Sequence, residues 1–263
     1  MARAAFVRLL AFVLVLFGTF GTAYGLGRRL PGNPESKPHT HGHVKPSPVP
    51  PGFHADGYTL VTEATQPSAA SMALHITGPD GAQVARFVEQ QGAAVHVVLI
   101  RFDASGFEHL TPHPKADGSF VVPLDQPGRW HIIVDSQPEG ALSPVVLTTN
   151  VDDEVPVKEV ALPAPHDTVE VDGLTVARDG LTFAVTTSDG SPATGLESYL
   201  GQPAHLFAIR QGDLAYTHLH PVAAAPPATF AFDGELAPGT YRLFLEFGYH
   251  DDVTTAAFTV VQP

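Results

Sequence analysis

The sequence predicts an all-β protein: two tandem immunoglobulin-like antiparallel β-sandwich modules following an N-terminal transmembrane helix. Three observations predict it. Residues 72–96 lie without gaps on residues 181–205, at an offset of 109, so the chain contains a duplication. Its 24 Gly and 25 Pro are too many for a helical bundle and suit many short strands joined by turns. An uncharged apolar stretch, LLAFVLVLFGTFGTAYGLG at residues 9–27, precedes all of this.

That stretch, flanked by Arg3, Arg8, Arg28 and Arg29, would span roughly 28 Å as a helix, close to a bilayer's hydrocarbon thickness. The competing reading is a secretory signal, since Ala23-Tyr24-Gly25 offers small residues for cleavage. The run exceeds an ordinary signal core, so residues 1–29 are read as a membrane anchor or signal with the anchor preferred. The short head and the cysteine-free, acidic remainder place the bulk of the chain outside the cytoplasm, secreted if the segment is cleaved. With 0 Cys there is no lipoprotein site, disulfide framework, thiolate zinc site or cysteine nucleophile. Residues 30–54 form a Pro-rich tether carrying His39, His41 and His43, an alternating set able to capture Cu(II), Ni(II) or Zn(II) loosely. A solvated spacer is the alternative.

Residues 55–150 form the first module. Strands are expected near 57–62, 71–77, 94–102, 106–110, 119–124, 128–135 and 143–149, with turns at Pro79-Asp80-Gly81 and Asp117-Gly118. Residues 84–90 have room for one helical turn. Residues 151–170, rich in acids and prolines, read as a linker. The second module, 171–263, has strands near 173–177, 180–187, 204–210, 214–219, 228–233, 239–247 and 253–260. Alternation is visible in Tyr241, Leu243, Leu245 and Phe247 on one side, with Arg242 and Glu246 opposite.

Charge excludes some partners. Fourteen Lys+Arg against 27 Asp+Glu give a net −13, which argues against nucleic acid, whose binding depends on basic side chains. No Gly-rich phosphate loop, G-x-S-x-G elbow or H-E-x-x-H helix is present, no small-molecule substrate is identified, and the chain reads as a non-enzyme. Histidine is in excess, 14 residues. His205 is followed thirteen positions on by His218 and His220, which share one strand face. Three neutral imidazoles with an open position suit Cu(II) or Zn(II). The first module repeats His96 and His109; its third histidine, His113, is read as displaced by an insertion, Thr111-Pro112. His131 and His75 have no histidine counterpart, and His250 lies at an expected hairpin tip. The alternative reading makes these histidines hydrogen-bonded core and turn residues.

The segments AAVHVVLIRFDASGFEHLTPHP and QPAHLFAIRQGDLAYTHLHP, each ending in a PG(R/T)(W/Y) strand, resemble a group of actinobacterial membrane-anchored secreted proteins of unassigned function with two such modules. In style these are similar to YtkA-like or copper-resistance sandwich domains. The resemblance implies metal homeostasis at the outer face of the membrane, with His205, His218 and His220, and His96 and His109, as motif histidines; Thr111-Pro112-His113 departs from the pattern. The expected function is therefore a membrane-anchored extracytoplasmic protein that binds Cu(II) or Zn(II) for buffering or hand-over to a metal-transport partner. Affinity should fall below about pH 6 as imidazoles protonate. The alternative is a structural or protein-interaction module on the cell surface.

Overall fold

The computed structural model describes residues 54–62, 71–124, 126–152, 158–222 and 227–263, all within one compact unit, Lys45–Pro263. The expected membrane segment and the tether histidines His39, His41 and His43 lie outside the described residues. Among the described residues there is no helix long and apolar enough to cross a membrane, and every regular element is a strand.

The first repeat contains β1 (His54–Ala55), β2 (Tyr58–Thr62), β3 (Ser71–Thr77), β4 (Phe87–Val88), β5 (Val95–Arg101), β6 (Phe107–Leu110), β7 (Phe120–Pro123), β8 (Arg129–Pro138) and β9 (Val145–Asp152). The second contains β10 (Thr168–Val171), β11 (Leu174–Asp179), β12 (Thr182–Thr187), β13 (Leu196–Glu197), β14 (His205–Arg210), β15 (Tyr216–Leu219), β16 (Thr229–Ala231), β17 (Gly239–Tyr249) and β18 (Asp252–Gln262). Each repeat is a sandwich of a four-stranded and a five-stranded antiparallel sheet. The four-stranded sheets run β1-β2-β3-β7 and β10-β11-β12-β16. The five-stranded sheets run β4-β8-β5-β6 with β9 on β8, and β13-β17-β14-β15 with β18 on β17.

Two expectations change locally. Within residues 84–90, Phe87–Val88 is extended and pairs with Pro138 and Gln137 of β8. Inside the stretch expected as linker, β10 pairs along β11 from Thr168↔Ala177 to Val171↔Leu174, because alternating Val169 and Val171 pack against the second core.

Strand alternation places the cores. Along β5, Val95, Val97 and Leu99 face the four-stranded sheet of their own repeat, meeting Leu74, Ile76 and Phe120. Along β14, Leu206 and Ala208 do the same with Val176, Phe183 and Phe230. The opposite faces of the five-stranded sheets meet each other across a third core of Val98, Ile100, Ile133, Phe207, Ile209, Tyr216 and Phe244. Removing such side chains from water contributes roughly 1.5–3 kcal/mol each, so the two repeats are joined by a true hydrophobic interface. The side of β17 that bears Arg242 and Glu246, which the sequence pattern leaves looking solvent-facing, is the interface side: both residues are buried, at 7% and 5% exposure.

Candidate metal centre

Cross-strand pairing arranges the two interface faces as matching rows. On β8, β5 and β6 the rows are Asp135 beside His96, then Ile133, Val98 and His109, then His131, Ile100 and Phe107. On β17, β14 and β15 they are Glu246 beside His205, then Phe244, Phe207 and His218, then Arg242, Ile209 and Tyr216. One step past the paired residues Val97↔Leu110 and Leu206↔Leu219, Thr111 stands where His220 stands. Thr111-Pro112 is thus the counterpart of His220-Pro221 rather than an insertion. His113 lies beyond it, exposed, and does not join the other histidines.

Five of the six histidines expected as ligands in the two modules form one cluster, with an end from each repeat. His96 Nδ1 is 3.0 Å from His109 Nε2, and His205 Nδ1 is 3.0 Å from His218 Nε2. The two pairs meet across the interface, with ring centroids of His96 and His218 5.6 Å apart and those of His109 and His205 6.1 Å apart. The contacts are reciprocal, as between copies related by a two-fold axis. His109 of the first repeat donates from Nδ1 to Glu246 of the second at 2.7 Å. His218 of the second faces Asp135 of the first, Nδ1 to Oδ2, at 3.7 Å. Phe107 stacks on Phe244 at 4.1 Å, while Tyr216 Oη donates to Asp135 at 3.4 Å.

Local turns fix the ring tautomers. Gln90 and Ala93 exchange backbone hydrogen bonds around Gln91 and Gly92, whose φ angles are 44° and 75°. Tyr199 and Gln202 do likewise around Leu200 and Gly201, at 49° and 73°. Two positive φ values in sequence define a type I′ turn. Each turn aims a carbonyl inward: Gln90 O accepts from His96 Nε2 at 2.9 Å, and Tyr199 O from His205 Nε2 at 3.0 Å. A carbonyl only accepts, so Nδ1 of both rings carries a bare lone pair.

The second repeat adds a third imidazole. His220 Nε2 lies 3.2 Å from His218 Nε2, and one donor atom each from His205, His218 and His220 fall within 4.8 Å of one another. A single proton on His218 Nε2 satisfies one of its two nitrogen neighbours, not both. A cation ligated by all three resolves the conflict. With metal–nitrogen bonds of about 2.0–2.1 Å, tetrahedral ligands stand about 3.3 Å apart, close to the 3.0 and 3.2 Å found here. The trio could therefore hold a metal ion.

Electrostatics keeps these rings neutral. Burial holds His205 down at about 3, its neighbours His220, His109 and His96 adding to the effect against the Tyr199 carbonyl. Burial likewise holds His220 at about 4, with His96 contributing. His218 is pushed well below the ordinary imidazole range by burial and by the surrounding histidines, and His96 is lowered by burial. Burial pushes the Asp135 carboxyl up to about 6 against the hydrogen bond from Tyr216 and the nearby His109. His205 is sealed at 0% exposure, while His220 is only partly buried, so the trio reaches the surface on the His220 side.

The other histidines lie apart from the trio. His131 is buried on the interface face and its Nδ1 meets Asn150 Oδ1 at 2.6 Å, the position matched by Arg242, which donates to Thr259 at 2.9 Å. His250 stacks on Tyr249 at 3.9 Å on the β17–β18 hairpin, and His75 sits on β3 of the four-stranded sheet. Sequence reasoning missed Asp135, Glu246 and the two turn carbonyls. The signal for the carboxylates was present, since Asp135 and Glu246 occupy equivalent places at the PG(R/T)(W/Y) offset, on strands whose alternation puts them beside His96 and His205.

Comparison with curated protein sequences finds no match. Among solved structures, the chain is similar to one described as "Biofilm associated protein - BSP domain", at 14% identity over 78% of this chain and 30% of that one, with a TM-score of 0.21. The chain thus spans under a third of that structure's length, and so loose a superposition carries no weight for fold or function. Residues 53–153 and 167–262 each match one domain, described as "Domain of unknown function (DUF8832)". The two reciprocal sandwiches are two copies of that domain, and the chain belongs to the DUF8832 family.

Proposed function

We propose that this protein binds a divalent transition metal, Cu(II) or Zn(II), through His205, His218 and His220, and that it buffers or hands on the ion rather than catalysing a reaction. The observation that carries the reading is the convergence of three neutral imidazole nitrogens, spaced as ligands of one ion, with too few protons to satisfy one another. Each sandwich is of immunoglobulin type in this reading. The apolar residues 9–27 hold the chain in the membrane with both sandwiches outside the cytoplasm, where His39, His41 and His43 of the tether capture ions weakly. A relationship to YtkA-like and copper-resistance sandwiches, which the modules resemble in style, belongs to the same proposal. Burial changes the expected pH response: with His205 and His220 held at about 3 and about 4, ion release moves well below the pH of ordinary imidazole.

A second reading is favoured by the His109–Glu246 contact at 2.7 Å and by the carbonyls that take the His96 and His205 protons. In that reading the histidines are polar latches of the interface in a surface module without metal.

One titration separates the two. The full chain, purified without a histidine tag and carrying His39→Ala, His41→Ala and His43→Ala, is stripped and titrated with Zn(II) and Cu(II) by calorimetry. The metal reading expects one ion per chain, lost in His218→Ala/His220→Ala and retained in His113→Ala. Binding indifferent to the double substitution, or absent from the parent, overturns it and leaves the latch.

A further inference from the structure

We infer that the metal site of the second repeat is completed by the first: Asp135 on β8 is the positioning carboxylate of the ligand His218. This rests on the metal reading above and goes beyond it, because it makes ion binding a property of the paired repeats rather than of one. Metal-ligating histidines almost always give their second ring N–H to a carboxylate or a carbonyl, which fixes ring orientation and raises ligand basicity. His205 has the Tyr199 carbonyl at 3.0 Å in that role. Among the described residues, His218 has no such partner in its own repeat; the acceptor facing its Nδ1 is Asp135 Oδ2, 3.7 Å away across the interface. That separation is beyond a hydrogen bond. The reciprocal contact, His109 Nδ1 to Glu246 at 2.7 Å, is the closed form of the same arrangement. Ligation at His218 Nε2 puts the ring's proton on Nδ1 and makes it a stronger donor, which draws the Asp135 carboxylate into contact.

Asp135 is placed for this from three sides. Its own strand sets it opposite His96 on β5, Tyr216 Oη donates to its Oδ2 at 3.4 Å, and its side chain keeps 20% exposure, leaving it room to move. Glu246 supplies the internal comparison. It occupies the equivalent position on β17 and makes the equivalent cross-repeat contact, but to His109, which is not a member of the trio.

The test uses the full chain with the tether histidines replaced by Ala. Zn(II) affinity is measured by chelator competition, and the Co(II)-substituted form is read by its visible absorption, in Asp135→Asn, Asp135→Ala, Asp135→Glu and Glu246→Gln. Loss of a carboxylate behind a ligating histidine weakens metal binding by about 10–100-fold, and that loss is expected for Asp135→Asn and Asp135→Ala, with a shifted Co(II) spectrum. Asp135→Glu restores at least part of the affinity, and Glu246→Gln changes it less than about threefold. Parent-level affinity in Asp135→Asn, or an equal loss in Glu246→Gln, overturns the inference while leaving the metal reading standing. Failure of the parent chain to bind overturns both.

Discussion

At the residue scale, the turn glycines set the tautomers on which the cluster depends. Gly92 has a φ of +75°, and a Cβ added there would lie 2.8 Å from the carbonyl carbon of Leu200, in the matching turn of the other repeat. Two costs combine in Gly92→Ala: the left-handed conformation, about 1 kcal/mol for an L-residue, and a clash with backbone that cannot rotate away. The variant is expected to lose about 2 kcal/mol or more in urea unfolding. Gly81→Ala, at φ +77° with open space around it, is expected to show the conformational cost alone. Equal losses at the two positions would mean that the turn-to-turn contact is not tight. Nothing in the sequence announces that contact, because each turn looks like an ordinary hairpin tip within its own repeat.

At the element scale, β6 and β15 are the same strand used twice with one difference. Both carry an aromatic residue and then a histidine on the interface face, Phe107 and His109 or Tyr216 and His218. The residue that follows on that face is Thr111 in one and His220 in the other. The first repeat therefore has a pair, His96 and His109, where the second has a trio. Thr111→His is expected to build the missing ligand and raise Zn(II) stoichiometry from one to two per chain in the tether-substituted protein, read by calorimetry. Unchanged stoichiometry would show that His109, held by Glu246 at 2.7 Å, is not free to ligate.

At the scale of the whole molecule, burying several neutral histidines between two sheets makes the interface sensitive to acid. In the unfolded chain these imidazoles titrate near the ordinary 6.5, whereas His205 and His220 titrate at about 3 and about 4 when folded, and His218 and His96 are lowered too. Below pH 6.5 the unfolded state therefore binds more protons. The stability these groups contribute is present above 6.5 and is lost as pH falls toward their folded values. Asp135, raised to about 6, has the opposite sign: its contribution is present below the ordinary carboxylate range and lost as pH rises through 6. His205 and His220 lose about 2 kcal/mol each over this range and Asp135 returns about 1 kcal/mol, so the metal-free protein is expected to lose at least about 2 kcal/mol between pH 7 and pH 5, with His218 and His96 adding to the loss. Thermal melts followed by circular dichroism and by Trp130, buried at 3% exposure, measure it. A transition temperature that is flat or rises over that range would contradict the assignment of neutral, buried rings.

Sequence alone determined the strands and the duplication, because both rest on local or self-referential signals. Period-two alternation and turn residues act within a few positions, so the seven main strands of each repeat were legible; β1, β4 and β13, two residues each, carry too little pattern to read, and the four-residue β10 was hidden in the stretch expected as linker. The equivalence of His96 with His205 and of His109 with His218 was also legible, since each repeat serves as the reference for the other. Tertiary structure alone decided that the repeats' histidines share one site, and why. Alternation tells which residues leave a sheet on the same side, but not whether that side meets water or a second sheet. Val98, Phe207 and Phe244 bury against one another, and that packing carries His96, His109, His205, His218 and His220 together, with Asp135 and Glu246 crossing between the repeats.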